Sequence, residues 1–380
     1  MKVAIPSFGK INLGLYIGGR RADGFHELRT VYQTVALHDV IQVEVGTGSG
    51  IEIVCDDERV PRDSSNTCYR VAEKVMDGTG ARGLVRVEIR KRLPVQGGLG
   101  AASSNGVATM LALERALKRS SRNKRGIARD AGLLSSLERV RIAAEVGSDL
   151  PLFLIGGTVL GVGHGEEVYP LPDLPALPIV VVTPETGVST PRAFAAWDAL
   201  MGQSAKKLDG SGSRTGSAGP VTKAGQPTDS DVRQETTQMS CSNELTSAGG
   251  SDTLEAGHAL SAWLSSNPAS GAPAKGRSRA GSLLSDLVRA GIENDFERVV
   301  FSEFPELRDM KCALERAGSR YASLSGSGST LYGLFESAGS AEKAVGRLQK
   351  QGLTAMATRM LTRREYWKRS LTVELVGNRK

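Results

Sequence analysis

Residues 93–113 read LPVQGGLGAASSNGVATMLAL. Gly97, Gly98 and Gly100 come first, then the small side chains of Ala101, Ala102, Ser103 and Ser104. An apolar run with helical spacing follows, carrying Val107, Met110, Leu111 and Leu117. Glycine lets a backbone approach an anion closely, and the first turn of a helix offers unpaired amides at the positive end of its dipole. The stretch therefore predicts a glycine turn opening a long helix, shaped to receive a polyphosphate; a tight turn that lets helix and strand pack closely is the alternative on these residues alone. It is not the G-x-x-x-x-G-K-[ST] loop, because no lysine follows the glycines, and its spacing is not G-x-G-x-x-G. A charge-balancing lysine must come from elsewhere in the chain.

Upstream, GLVRVEIRKRLP reads as a strand running into a proline, and SSNTCYRVAEKVMDGTG (64–80) as a helix. Ser65 or Asn66 caps that helix, Ala72, Val75 and Met76 line one side, and glycine ends it. Residues 1–45 read as strands and turns, with an Asp-Gly turn signal in RRADGFHEL. LHDVIQVEVGTGSGIEIVCD alternates well enough for two strands. Downstream, GIARDAGLLSSLERVRIAAEVGSDLPLFLIGG predicts one or two helices, a turn at Gly147–Asp149 and an apolar element closed by Gly156 and Gly157. The valine run of LPALPIVVV predicts a buried strand and the start of a second domain. Two helices meeting near Pro305, a strand–glycine turn–strand at YASLSGSGSTLYGLF, a helix at AGSAEKAVGRLQKQG and an edge strand in the tail complete the pattern.

The chain has 380 residues, of which 40% are hydrophobic, and suits two domains of an α+β protein. We expect residues 1–167 to form the first and 168–380 the second. A low-complexity, mostly disordered insertion is expected at about 201–281, with a short helix at LEAGHALSAWL. No apolar run reaches membrane-spanning length, and the N-terminus does not read as a secretory leader. Four scattered cysteines and four histidines form no zinc spacing, so free thiols and a cytoplasmic address are expected. The net charge of +7 is concentrated partly in LKRSSRNKRG and RMLTRREYWKRS, neither of which carries the interleaved aromatics of a nucleic-acid platform. No nucleic acid and no membrane partner is expected.

PVQGGLGAASS (94–104) is similar to the signature of the kinases of galactose, homoserine, mevalonate and phosphomevalonate. SFGKINLGLYIGGRRADGFHELRTVYQTVALHD (7–39), GSDLPLFLIGG (147–157) and SLSGSGSTLYGLF (323–335) resemble further blocks of that family in the same order. The resemblance implies a ribosomal-protein-S5-like N-terminal domain and a ferredoxin-like C-terminal domain with the catalytic cleft between them. It implies ATP as phosphoryl donor, with Mg2+ expected and its protein ligands left open; Ser104 is one candidate. Pro94, Val95, Gln96, Gly97, Gly98, Leu99, Gly100, Ala101, Ala102, Ser103 and Ser104 would hold the nucleotide. Asp149 matches the family's catalytic aspartate and Lys10 its active-site lysine.

The N-terminal block resembles a narrower branch, whose acceptor is a cytidine diphosphate-linked methylerythritol phosphorylated on its 2-hydroxyl in non-mevalonate isoprenoid synthesis. By that resemblance His26 contacts the cytosine edge, Phe25 supplies a stacking face, and Asn12 contacts substrate. Phe25 stands where the family commonly has tyrosine, Gly9 where alanine is usual, and Ala101 and Ala102 where glycine is frequent. A monomer or weak homodimer is expected. Another small-alcohol kinase of the same family, or an inactive nucleotide-binding relative, stays open as an alternative.

Overall fold

A long antiparallel hairpin of β1 (Lys2–Arg20) and β2 (His26–Gly46) runs through the protein. The computed structural model describes residues 2–122, 133–210, 292–372 and 374–376. At the hairpin's tip the expected Asp-Gly turn forms, with Asp23 Oδ1 accepting from the Phe25 amide at 3.0 Å and Gly24 at φ +88°. Register shifts between Phe8 and Lys10 and between Asn12 and Gly14 bracket the Lys10–Asn12 segment. Such bulges re-aim side chains. This strand changes partners along its length. Val3 and Ile5 enter one core, Ile11 and Leu13 a second, and Leu15 and Ile17 a third.

The first sheet has the order β11-β1-β2-β4-β3, with β5 on β2 and β6 on β5. Here β3 is Gly50–Cys55, β4 Leu84–Arg90, β5 Thr158–Val162, β6 Glu167–Pro170 and β11 Glu374–Val376. A parallel crossover joins β3 to β4 through α1 (Thr67–Thr79). Asn66 is the cap, its side chain accepting from the Cys68 amide, and Gly80 closes the helix at φ 64°. Cys68, Val71, Ala72, Val75 and Thr79 form its buried stripe. The stripe packs with α2 (Ala101–Arg122) and α3 (Ser136–Val146) over one face of the sheet. Helix α2 starts at Ala101, inside the small-residue run, so Ala101 and Ala102 take ordinary helical angles. Among the described residues only Gln96, at φ 58°, is a non-glycine in the left-handed region.

The second sheet is antiparallel, in the order β10-β7-β9-β8. Its strands are β7 (Pro178–Val182), β8 (Tyr321–Leu324), β9 (Leu331–Leu334) and β10 (Ala355–Arg359). Numbered by their place in the chain the order is 4-1-3-2, the ferredoxin-like arrangement implied by the family resemblance. Val180 and Val182 face a core shared with α5 (Thr190–Gly210), α6 (Phe296–Glu303), α7 (Pro305–Arg316) and α8 (Ala338–Gln349). Ile179 and Val181 face a core shared with Ile11, Leu13, Val31 and Val35 of the first sheet. Burial on both faces explains why β7 reads as unbroken valine rather than an alternation.

The tail holds the expected edge strand, Glu374–Val376 on β1, and ahead of it a helix that was not expected: RREYWKRS forms α9 (Arg363–Leu371), with a capping box between Thr362 and Glu365. Its basic composition hides two anchors: Tyr366 donates to the Phe153 carbonyl at 2.7 Å and Trp367 to that of Ile155 at 2.9 Å. Arg363 donates to the Gly156, Thr158 and Leu171 carbonyls rather than standing in solvent. Residues 374–376 then pair with Lys2–Ala4 at the sheet edge. Of the low-complexity insertion expected at 201–281, residues 201–210 continue α5; the remainder, including LEAGHALSAWL, lies outside the described residues. Cys55 and Cys68 are free and buried, as expected, whereas Cys312 is disulfide-bonded. Cys241 lies outside the described residues. No helix among the described residues is long and apolar enough to cross a membrane.

Candidate active site

Asp149 sits at the N-cap position of α4 (Leu150–Phe153), yet its side chain makes no capping hydrogen bond. Its carboxylate is aimed elsewhere. Oδ2 lies 3.5 Å from Lys10 Nζ and Oδ1 accepts from the Tyr32 hydroxyl at 3.1 Å. Lys10 Nζ donates to Asn12 Oδ1 at 2.7 Å, and Asn12 Nδ2 donates to Thr30 Oγ1 at 2.8 Å. Lys10 and Asn12 are two apart on β1, so they share a face, and Tyr32 is the β2 partner of Asn12. One hairpin therefore supplies both partners of a carboxylate contributed from far along the chain. Burial raises the Tyr32 phenol well above its ordinary value, and the Asp149 charge adds to that shift, so Tyr32 stays a donor.

Lys10, Asn12, Tyr32 and Asp149 line a cavity of about 1120 Å³. Pro94, Val95, Gln96, Gly97, Gly98, Leu99, Gly100, Ala101, Ala102 and Ser103 all border it. Ser104 does not. It is turned the other way round the helix, donating from Oγ to the Phe8 carbonyl at 2.6 Å and lying 2.5 Å from Ser7 Oγ, and its amide bonds the Gly100 carbonyl. In this structure the Ser104 hydroxyl is thus directed to β1, whereas Ser103 borders the cavity.

The glycines answer to packing as well as to ligand access. A Cβ on Gly98 would stand 2.1 Å from the Ser325 carbonyl oxygen, at a φ of +80°. Ser325 Oγ donates to the Gly98 carbonyl and the Thr330 amide to that of Gly97. The glycine turn of the first sheet's domain is thus pressed against the SGSGST turn of the second.

Ahead of the turn, buried Asp39 gathers Lys91 Nζ, the amides of Arg92 and Leu93, and Asn105 Nδ2. Its place in the quoted N-terminal block was the available signal; its role was not legible there. At the other end of the cavity, His26 is 8% exposed and stacks on Phe194 of α5, with centroids 5.2 Å apart and planes at 13°. His26 Nε2 is 2.7 Å from Asp198 Oδ1. Phe25 is 59% exposed on the rim, tilted against His164 at 5.1 Å. Val188, Ser189 and Thr190 complete that wall, and Thr190 Oγ1 is 2.8 Å from Ser327 Oγ. Tyr32, Phe194 and Asp198 were not foreseen. The spacing of Phe194 and Asp198, one helical turn apart, was the signal available. The wall carries Lys10, Arg20, Arg59 and Lys91 against Asp149 and Asp198, an excess of cations that suits phosphorylated ligands.

Comparison with known proteins agrees with this architecture. The GHMP kinases N terminal domain matches residues 66–157 and the GHMP kinases C terminal domain residues 277–353. Fold and site together define a GHMP kinase. Within that class the chain belongs to the 4-diphosphocytidyl-2-C-methyl-D-erythritol kinase family. The kinase of that name from Solibacter usitatus is 31% identical over 379 residues, covering 98% of this chain and 94% of its own. That from Moorella thermoacetica is 29% identical over 359 residues, covering 94% and 99%. A crystal structure of 4-(cytidine 5'-diphospho)-2C-methyl-D-erythritol kinase superposes with a TM-score of 0.60 at 25% identity, covering 94% of this chain and 98% of that one. The mevalonate kinase of L. major shares the fold, with a TM-score of 0.60 at 13% identity over 94% of this chain and 96% of that one.

Proposed function

We propose that the chain transfers the γ-phosphoryl group of ATP to the 2-hydroxyl of 4-diphosphocytidyl-2-C-methyl-D-erythritol, giving the 2-phosphate and ADP. The observation that carries this reading is the Lys10–Asp149 pair, 3.5 Å apart in the wall of the cavity that the glycine turn also borders. The acceptor hydroxyl lies beside Asp149. Its oxygen attacks the γ-phosphorus, the bond to the β–γ bridging oxygen breaks, and the hydroxyl proton passes to an Asp149 carboxylate oxygen. Lys10, held by Asn12, offsets negative charge on the transferring group. Asn12 borders the cavity beside Lys10 and keeps one lone pair on Oδ1 and one hydrogen on Nδ2 for a substrate contact. The first-turn amides of α2 at Ala101, Ala102 and Ser103 face the nucleotide phosphates.

His26 reads the cytosine edge, with Phe194 behind its ring and Phe25 on the rim as a second aromatic face. Among the described residues no three His, Cys, Asp or Glu side chains come together to hold an ion. Ser104 is engaged in the core. Mg2+ uses few protein ligands and would arrive on the ATP phosphates, where it would offset their charge; no step above depends on it.

A side-by-side assay of ADP release with 4-diphosphocytidyl-2-C-methyl-D-erythritol and with mevalonate tests the reading. Turnover with the cytidyl acceptor alone supports it. Turnover with mevalonate alone, or ATP binding without acceptor-dependent ADP release, overturns it.

A further inference from the structure

We propose that Asp198 is a positioning residue that fixes the tautomer of His26, and so makes the acceptor site select a cytosine over a uracil base. The inference rests on the reading of His26 given above. An ionised carboxylate can only accept hydrogen bonds, so the imidazole nitrogen 2.7 Å from Asp198 Oδ1 carries a proton. In the neutral ring that leaves Nδ1 with a lone pair. Nδ1 makes no hydrogen bond to the described residues, and His26 borders the cavity. It is the ring's remaining polar atom for a ligand.

Phe194 and Asp198 are four residues apart and project from the same side of α5. One lies flat against the imidazole while the other holds its Nε2. Phe194 is braced in turn by the edge of Phe296, at 4.9 Å and 83°. Ring plane and protonated nitrogen are thus both set from the second domain, although His26 belongs to the first. An oriented tautomer is what base reading needs. Cytosine offers an exocyclic amine, which donates to a lone pair. Uracil offers a carbonyl oxygen at the same position, and two lone pairs repel. A site built around a required hydrogen bond rejects the analogue that cannot make it more strongly than an apolar pocket rejects a size mismatch.

The test compares wild type, Asp198→Asn and His26→Ala with the cytidyl acceptor and its uridyl counterpart. An asparagine can accept from or donate to Nε2, so it releases the tautomer while keeping the shape. Asp198→Asn is expected to raise the acceptor KM more than it lowers kcat, and to cut the cytidyl-to-uridyl ratio of kcat/KM by roughly tenfold. The KM for ATP, measured in the same preparations, reports that the fold is intact. A purely structural tie between α5 and β2 would weaken both acceptors alike and leave the ratio unmoved. If His26→Ala lowers the ratio and Asp198→Asn does not, the role of Asp198 is refuted while His26 keeps its reading. If neither changes it, the reading of His26 falls as well.

Discussion

Tyr32 donates its hydroxyl to one oxygen of Asp149 while Lys10 lies against the other, at 3.1 and 3.5 Å. The backbone of Asp149 belongs to the start of a short helix, but both carboxylate oxygens are addressed from one β-hairpin. Placement of the carboxylate therefore depends on the register of β1 against β2.

Replacing Tyr32 with phenylalanine removes one of these two contacts and leaves the ring in place. A hydrogen bond to a charged group contributes about 1.5–3 kcal/mol, so kcat should fall by roughly tenfold or more. The KM for ATP should stay close to wild type. Steady-state kinetics at saturating acceptor check this, and an unchanged kcat would mean that Lys10 alone suffices to hold Asp149.

Asp149→Asn keeps the shape and removes the proton acceptor. Turnover should fall by a factor on the order of 10²–10⁴, the usual contribution of a positioned general base. ATP binding, followed by fluorescence or calorimetry, should be nearly intact. Turnover near wild type would end the assignment of Asp149.

Asp39→Asn places amide hydrogens against a ring of donors: Lys91 Nζ, two backbone amides and the Asn105 amide. Disrupting a buried charge pair in this way costs about 3–5 kcal/mol. The melting temperature should drop by several degrees, and the KM for ATP should rise, because Lys91–Leu93 lead directly into the glycine turn. A stability loss without any nucleotide effect would confine Asp39 to scaffolding.

Two glycine-to-alanine changes should differ sharply. At Gly98 the new methyl meets the Ser325 carbonyl oxygen at 2.1 Å with φ at +80°, so neither rotation nor a side-chain shift relieves it. At Gly9 it meets Leu93 Cδ2 at 3.1 Å, the end of a flexible side chain. Gly98→Ala should lose nucleotide binding and stability together, whereas Gly9→Ala should retain both in parallel melting and ATP-titration experiments.

Burial raises Tyr16 from 10.0 to about 12 and Cys68 from 9.0 to about 12. Tyr32, Tyr321, Tyr332 and Tyr366 are pushed upward by the same cause. The folded state holds these protons more tightly than the unfolded chain. Stability is therefore unaffected below about pH 9 and falls as the pH climbs past 9 to 10, where the unfolded chain begins to release them. Phenolate absorbance should accordingly rise together with loss of circular dichroism. A smooth titration of these tyrosines in a fully folded protein would contradict their burial.

Much of the fold could be read from local signals. The Asn66 cap, the Gly80 stop, the Asp-Gly turn and the valine run of β7 each have a nearby physical cause, and each stands where it was expected. Lys10 and Asp149 were reached through the family blocks, and the structure brings them together. What escaped notice depends on partners remote in the chain. Asp198 meets His26 across 172 residues and Tyr32 meets Asp149 across 117, separations over which no periodicity links two side chains. Ser103 and Ser104 look alike in sequence, yet about 100° of helical rotation separates them, so one borders the cavity and the other enters the core. The tail's edge strand was legible, but the helix before it was not, because its arginines and lysines conceal the anchors Tyr366 and Trp367.

The return of residues 363–376 to the first sheet has a consequence for biogenesis. Tyr366 and Trp367 buttress the segment just after Asp149, and Glu374–Val376 flank the very first strand. On the ribosome, the segment after Asp149 must wait for these late-made residues before its Phe153 and Ile155 carbonyls gain their donors. Nascent chains arrested before Arg363 should thus be protease-sensitive around Phe153–Ile155, however long the arrest lasts.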